Sequence, residues 1–442
     1  MKKLILCFAA MLAMSTAVKA EDHVMAATKS QQPTAQSQET LRLSLKDAQE
    51  YAIRQNRTLK NAELAVQEAY AARWQTIAAM LPQVDGSYAY SNYFGYSATM
   101  GTFTINMPNQ GALGVTASVG INGQGVVGAL MNNVAIDMQK ISLEKSESEL
   151  RGSVMSSYVS VQALQSISAL LDSSLINIQE LESMTQQAVN VGAAEQTSAD
   201  QIRVRVNTLK NSINAQKRNI ELATNSLKVL LDVPVETELV LTEELDAVLS
   251  PERVLTLLGE NFAIENNLDY QLLQKNVELA KKNVAMAGWA YGPTVSLAYN
   301  YTNQQYYGEG GMRMTPPNVM QVSVRMPLWS SGKRAAGVVE KKIALEEAKN
   351  TLSETTDNLE IAYRQLCYNL TNAYETFVNE KDNIDVAQRV FASATNKYKY
   401  GASSNMELTN ASNDLINAQS SYVQAILNLV NAQVELEKFL NN

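Results

Sequence analysis

The sequence is poor in the residues that carry most enzyme chemistry. Its 442 residues include one histidine and two cysteines. Two cysteines exclude a disulfide scaffold and a zinc-finger cluster. The single histidine, His23, excludes a polyhistidine metal site and removes the usual acid–base group at neutral pH. Positive charge is also short: 36 Lys and Arg stand against 44 Asp and Glu, a net charge of −8. That balance argues against a nucleic-acid-binding surface. Glycine (20) and proline (9) are scarce, and because they punctuate chain structure, long uninterrupted elements are expected.

Long apolar runs are missing too. Residues 1–20 read as a secretory signal, with Lys2 and Lys3, an apolar core from Leu4 to Met14, and small residues before a cleavage site at Ala20. The core is too short to span a bilayer, which takes roughly 20 residues. Cys7 is placed too early for lipoprotein acylation, so the mature chain would keep only Cys367 and could form no internal disulfide. Residues 21–40 form a polar leader. No later stretch approaches a continuous transmembrane helix, which leaves a β-barrel as the only route into a membrane.

What is present is a duplication. Ala52-Ile53-Arg54-Gln55-Asn56 recurs as Ala263-Ile264-Glu265-Asn266-Asn267, and Pro82, Val84, Tyr88 and Tyr90 recur as Pro293, Val295, Tyr299 and Tyr301. The expected units are repeat 1 over 41–233, a link over 234–250 and repeat 2 over 251–442. Each copy opens with a helix, near 44–80 and 269–287. Ser44-Leu45-Lys46-Asp47 reads as a capping box, and Ser250-Pro251 opens a short helix in the second copy. Alternating segments follow. Val84, Tyr88, Tyr90, Phe94 and Tyr96 share one strand face, and Val295, Leu297, Tyr299 and Tyr301 its counterpart. Second strands are expected at Leu113–Ile121 and Met320–Leu328. The opposite faces carry Ser87, Thr116, Ser118, Ser296 and Ser323, which suits a lipid face and a wet lumen. The tyrosines, among them Tyr88, Tyr90, Tyr299 and Tyr301, read as a membrane-interface girdle.

Each copy ends in long helices. Residues 338–400 contain neither glycine nor proline, about 95 Å if fully helical. Ala199, Ile202, Val206, Leu209, Ile213, Gln216, Ile220, Ala223, Leu227 and Leu230 alternate by three and four. So do Leu408, Ala411, Leu415, Ala418, Tyr422, Ala425, Leu429, Ala432, Leu436 and Phe439. This is a coiled-coil seam. Gly192 and Gly401 mark the hairpin turns. The fold class is therefore mainly α with a small β part: duplicated long antiparallel coiled-coil helices plus four strands. Four strands cannot close a barrel, so several chains must associate; three is one number that fits, and it would supply twelve strands and twelve long helical segments.

With these features the chain resembles the TolC-type outer-membrane efflux proteins over residues 41–442. The specific parts are the Pro327-Leu328-Trp329-Ser330-Ser331-Gly332 strand-to-helix turn, the Tyr398-Lys399-Tyr400-Gly401-Ala402-Ser403 helical turn, and Leu227–Pro234 followed by Glu238-Leu239-Val240-Leu241. The resemblance implies a homotrimeric channel in outer-membrane lipid, with a tunnel reaching into the periplasm to meet an adaptor protein and an inner-membrane pump. It implies adaptor contact at the turns, Gly192 and Ala193 in copy one and Gly401, Ala402 and Ser403 in copy two. It also implies a periplasmic gate. Glu407 matches an acidic gate position, Tyr398 the entrance tyrosine, and Asn410 replaces a second acid. Copy one has Ser198 at the acidic position, with Asp200 two residues on. Ser403 stands where the founding member has the arginine of its salt-bridge lock.

Gly123-Gln124-Gly125-Val126-Val127-Gly128 matches the dinucleotide fingerprint, but that motif needs a βαβ unit of about 30 residues, and here a far longer helix follows. No cofactor, metal or catalytic constellation is expected. The rival reading is an exported structural trimeric coiled coil or adhesin, which would not need matched strand pairs in two copies.

Overall fold

The computed structural model describes residues 40–101, 103–243, 245, 251–307 and 316–441. The signal segment, His23, nearly all of the leader and Ser250 lie outside them. The first helix is opened as its sequence dictates. Ser44 Oγ accepts the Asp47 amide at 3.1 Å and the Asp47 carboxylate accepts the Ser44 amide, a complete capping box for α1 (Leu45–Gln55). The single helix expected over 44–80 is in fact two. Asn56 breaks the run with ψ 128° and caps α2 (Arg57–Ala78) through bonds from the Thr58 and Leu59 amides. Its Nδ2 donates to Leu230 O at 2.9 Å. Asn267 does the same in the second copy, capping α6 (Leu268–Gly288) and donating to Phe439 O at 3.0 Å. The recurring Asn56/Asn267 motif thus ties the start of each half to its own last helix.

A four-stranded antiparallel sheet has the order β2 (Gln83–Ser91), β5 (Asn109–Asn122), β7 (Thr294–Tyr307), β8 (Asn318–Arg325). β5 and β7, one from each half, pair along their whole length, from Asn109 opposite Tyr307 to Asn122 opposite Thr294. Two small pairings carry no periodic sequence signal. β1 (Leu41–Leu43) pairs in parallel with β6 (Leu239–Leu241), and β3 (Ser97–Met100) pairs with β4 (Phe103–Asn106) inside the loop after β2. That loop overturns one assignment: β2 ends at Ser91, and Phe94 lies in a turn with φ +52°, so Phe94 and Tyr96 do not continue the strand face.

The remaining helices are α3 (Gly123–Asn190), α4 (Gln196–Leu230), α5 (Pro251–Gly259), α7 (Lys333–Lys399) and α8 (Asn405–Leu440). α3 and α7 each run about 100 Å. α3 pairs with α4, and α7 with α8. The expected seam is the buried one: Ala199, Ile202, Val206, Leu209 and Ile213 on α4, and Leu408, Ala411 and Leu415 on α8. The polar seam position Gln216 donates to Leu164 O. Past Leu415 a second stripe, Ile426, Val430 and Val434, is also buried, because α8 there packs against α3 as well. At that crossing Gly152 of α3 lies so close that a Cβ would stand 2.4 Å from Val434 Cγ1. α3 contains an 18-residue window of hydropathy 1.2, and half of that window is buried among helices.

Candidate functional site

Two regions are candidates, one at each end of the molecule. At the strand end, alternation sorts side chains by face. Leu113, Val115, Ala117, Val119 and Ile121 pair with Asn303, Tyr301, Tyr299, Leu297 and Val295, and beyond them lie Met320, Val322 and Val324. This face is apolar and bare: Val322 and Val324 are each 66% exposed. The other face carries Ser87, Thr116, Ser118, Ser296, Asn300, Gln321 and Ser323, with Thr116 bonded to Asn300 at 2.9 Å. Tyr88, Tyr90, Tyr299 and Tyr301 all lie on the apolar face, Tyr88 and Tyr90 toward the end remote from the helices and Tyr299 and Tyr301 near mid-strand. Tyr299 Oη donates to Asn318 Oδ1, and Tyr90 packs 6.0 Å from the Tyr307 ring. The strand-to-helix turn places Pro327 O against Arg334, leaves Trp329 86% exposed, and sets Gly332 at φ +85°, a conformation only glycine adopts freely.

At the helix end, both turns are built alike. The Gly192 amide donates to Val189 O and the Ala193 amide to Ala188 O, with Gly192 at φ +75°. The Gly401 amide donates to Tyr398 O and the Ala402 amide to Lys397 O, with Gly401 at φ +71°. Each is a Schellman cap, which needs a left-handed residue. Ser404 then caps α8 by accepting the Glu407 amide. Ser403 Oγ donates to the Glu407 carboxylate at 2.7 Å, and Lys397 lies 3.7 Å from it. Glu407 and Asn410 line one open cleft of about 690 Å³ between α7 and α8, with Asp414, Arg389 and Lys397. Asp200 is not part of it; it bonds Gln196 within its own helix turn. Tyr398 is half-buried against the cluster of Ile178, Ile202, Phe391 and Leu408, rather than lining the cleft.

The two hairpins are joined at this end. Lys399 pairs with Glu180 at 2.9 Å, and that hydrogen bond raises the lysine above its ordinary pKa. Arg205 of α4 donates to Thr409 Oγ1 of α8. Burial lowers the Arg205 pKa from its ordinary value, and the nearby Tyr398 opposes this.

A profile of the family described as outer membrane efflux protein matches residues 49–232 and 261–442. The chain belongs to this family. The chain is 23% identical over 299 residues to the probable efflux pump outer membrane protein TtgC of Pseudomonas putida KT2440, covering 66% of this chain. It spans 60% of the length of that relative. Two solved structures share its fold: CusC, with TM-score 0.71, 17% identity and coverage of 93% of this chain and 95% of that one, and the Campylobacter jejuni CmeC outer membrane channel, with TM-score 0.68, 16% identity and coverage of 90% and 85%. Family and fold are therefore those of the TolC-type outer membrane efflux proteins, and the adhesin reading is not favoured.

The glycines of the fingerprint-like segment have a packing reason. Asn122 Oδ1 caps α3 by accepting the Gly125 amide, and a Cβ on Gly123 would fall inside the Trp289 ring, 2.1 Å from its nearest atom. Three features escaped the sequence reading. Trp74 and Trp289 join Trp329, already named in the turn motif, in lying close to Pro82, Pro293 or Pro327, where strands and helices meet. That spacing was the available signal. Asp414 follows Glu407 by seven residues, so it shares a helix face and was findable from periodicity. Arg205 was not, because its contacts cross between the copies.

Proposed function

We propose that this chain forms a homotrimeric outer-membrane channel serving as the exit duct of an envelope-spanning efflux or secretion system. The observation that carries this reading is the sheet. One face is apolar and exposed, the other small and polar, and both outer strands, β2 and β8, have an unpaired edge. Open edges in lipid are forbidden, so three sheets joining edge to edge would make a closed twelve-stranded barrel. β7 has 14 residues, about 45 Å of strand, and at a 45° tilt it stands about 30 Å tall, the thickness of a bilayer core. The repeats 41–233 and 251–442 would then line equal arcs of the tunnel wall.

The working mechanism is a wall and a gate. Substrates move through by gradients set elsewhere, with a periplasmic adaptor meeting Gly192, Ala193, Gly401, Ala402 and Ser403, and an inner-membrane pump behind it. Glu407 on three chains would form an acidic ring that attracts cations, with Asn410 and Asp414 along the same face and Tyr398 as its packed support. Asp200 would add charge from the other hairpin. Purified protein in planar bilayers tests this. Discrete, cation-biased conductance is expected, with cation bias and multivalent-cation block both reduced in Glu407→Gln. Absence of conductance from assembled trimers would overturn the channel, and an unchanged block in Glu407→Gln would remove the gate role.

A further inference from the structure

The collar where helices meet strands has one sign of charge. Residues 69–84, 122–136, 279–294 and 325–339 surround the four junctions. They contain Arg73, Lys281, Lys282, Arg325, Lys333 and Arg334, and no Asp or Glu, in a chain where acids outnumber bases. The bias is local: the described residues from Gly86 to Ile136 carry no charge at all. Arg325 shares the polar strand face with Ser323, which leaves five cations on the helices and the turn.

Local stability does not account for the lysines among them. Lys333 and Arg334 occupy the first turn of α7, where the helix dipole disfavours cations, and no acid is there to offset them. The side chains of Lys281, Lys282 and Lys333 make no hydrogen bond or ion pair among the described residues. Arg334 is held in place: it bonds Ser330 Oγ at 2.9 Å and Pro327 O at 2.5 Å, and lies 4.9 Å over the Tyr291 ring. The same collar bears the exposed rings of Trp74, Trp289 and Trp329 and the 86%-exposed Leu328. Tryptophan with lysine and arginine at one level is the composition of a membrane headgroup layer. Lys282 lies seven residues from Trp289, about 10 Å, within the reach of a surface field.

We propose that this collar binds the headgroups of anionic phospholipids in the leaflet facing the helices, through Arg73, Lys281, Lys282, Lys333 and Arg334. The proposal rests on the membrane reading of the sheet given above. It goes beyond that reading by naming the lipid class and the residues that select it.

The three tryptophans, the only ones in the chain, are built-in reporters. The full-length protein is reconstituted in vesicles of equal phosphatidylglycerol and phosphatidylcholine, with brominated acyl chains placed on one lipid or the other. Total composition stays constant, so a difference in fluorescence quenching reads local enrichment. Stronger quenching from brominated phosphatidylglycerol is expected, with an apparent preference of about fivefold that shrinks in high salt. In the Lys281→Gln/Lys282→Gln/Lys333→Gln variant the preference falls toward one, while quenching by brominated phosphatidylcholine is retained. Equal quenching by the two lipids in the unmodified protein overturns the proposal, as does a preference the variant leaves intact. Quenching by neither lipid overturns the membrane reading itself, and this proposal with it.

Discussion

At the scale of single residues, buried polar groups carry the most specific information. The Tyr158 side chain is fully buried, and its hydroxyl donates to Leu43 O at 3.1 Å while accepting the Glu243 amide at 3.3 Å. It therefore stitches together the chain segments around the β1–β6 pair. Burial raises its pKa above the ordinary tyrosine value. As pH rises past about 10 the unfolded chain loses this proton first. The stabilisation is full below that value and is lost as pH climbs toward the higher folded value. Tyr158→Phe leaves the Glu243 amide without this partner. An expected loss of about 1–3 kcal/mol is checked by denaturant unfolding, and stability should fall less steeply above pH 10 than in the unmodified protein.

At the scale of elements, the long helices are held by close approach as much as by the heptad seam. Gly152 marks the point where α3 and α8 touch. Gly152→Ala forces its new methyl into Val434, and an overpacking cost of about 1–3 kcal/mol is expected. Val434→Ala removes the obstructing methyls, so the double variant should be less destabilised than the sum of the two single variants. Thermal unfolding of all three is the measurement, and strict additivity would place the strain elsewhere. The paired asparagines make the same point about legibility. The recurrence of Asn56 as Asn267 was plain in the sequence, but its two jobs, capping one helix and holding the end of another, were not. The second stripe of α8 was hidden for a related reason. A heptad names one partner, and Ile426, Val430 and Val434 serve a second.

At the scale of the whole molecule, the single chain leaves much surface uncovered. Its accessible surface is 28303 Å², whereas a compact globule of 48.5 kDa would expose about 17,000 Å². Elongation accounts for part of the excess. The bare apolar face of the sheet and the open edges of β2 and β8 account for the kind of surface involved. If the edges close on neighbouring chains, single cysteines along β2 and β8 in a Cys367→Ser background should join protomers on oxidation. Denaturing electrophoresis should then show covalent species of up to three chains. Cross-links absent at every register would exclude edge-to-edge closure.

The sequence by itself determined the class of this protein. Duplication, strand alternation, heptads and the glycine turns depend on local periodicity and backbone conformation, and these are written residue by residue. So was the acidic character of the α8 turn at Glu407. Only the tertiary structure decided which distant segments meet: Arg205 with Thr409, Lys399 with Glu180, Trp289 over Gly123, and the three-residue strands β1 and β6. These contacts join segments far apart in the chain and leave no period behind.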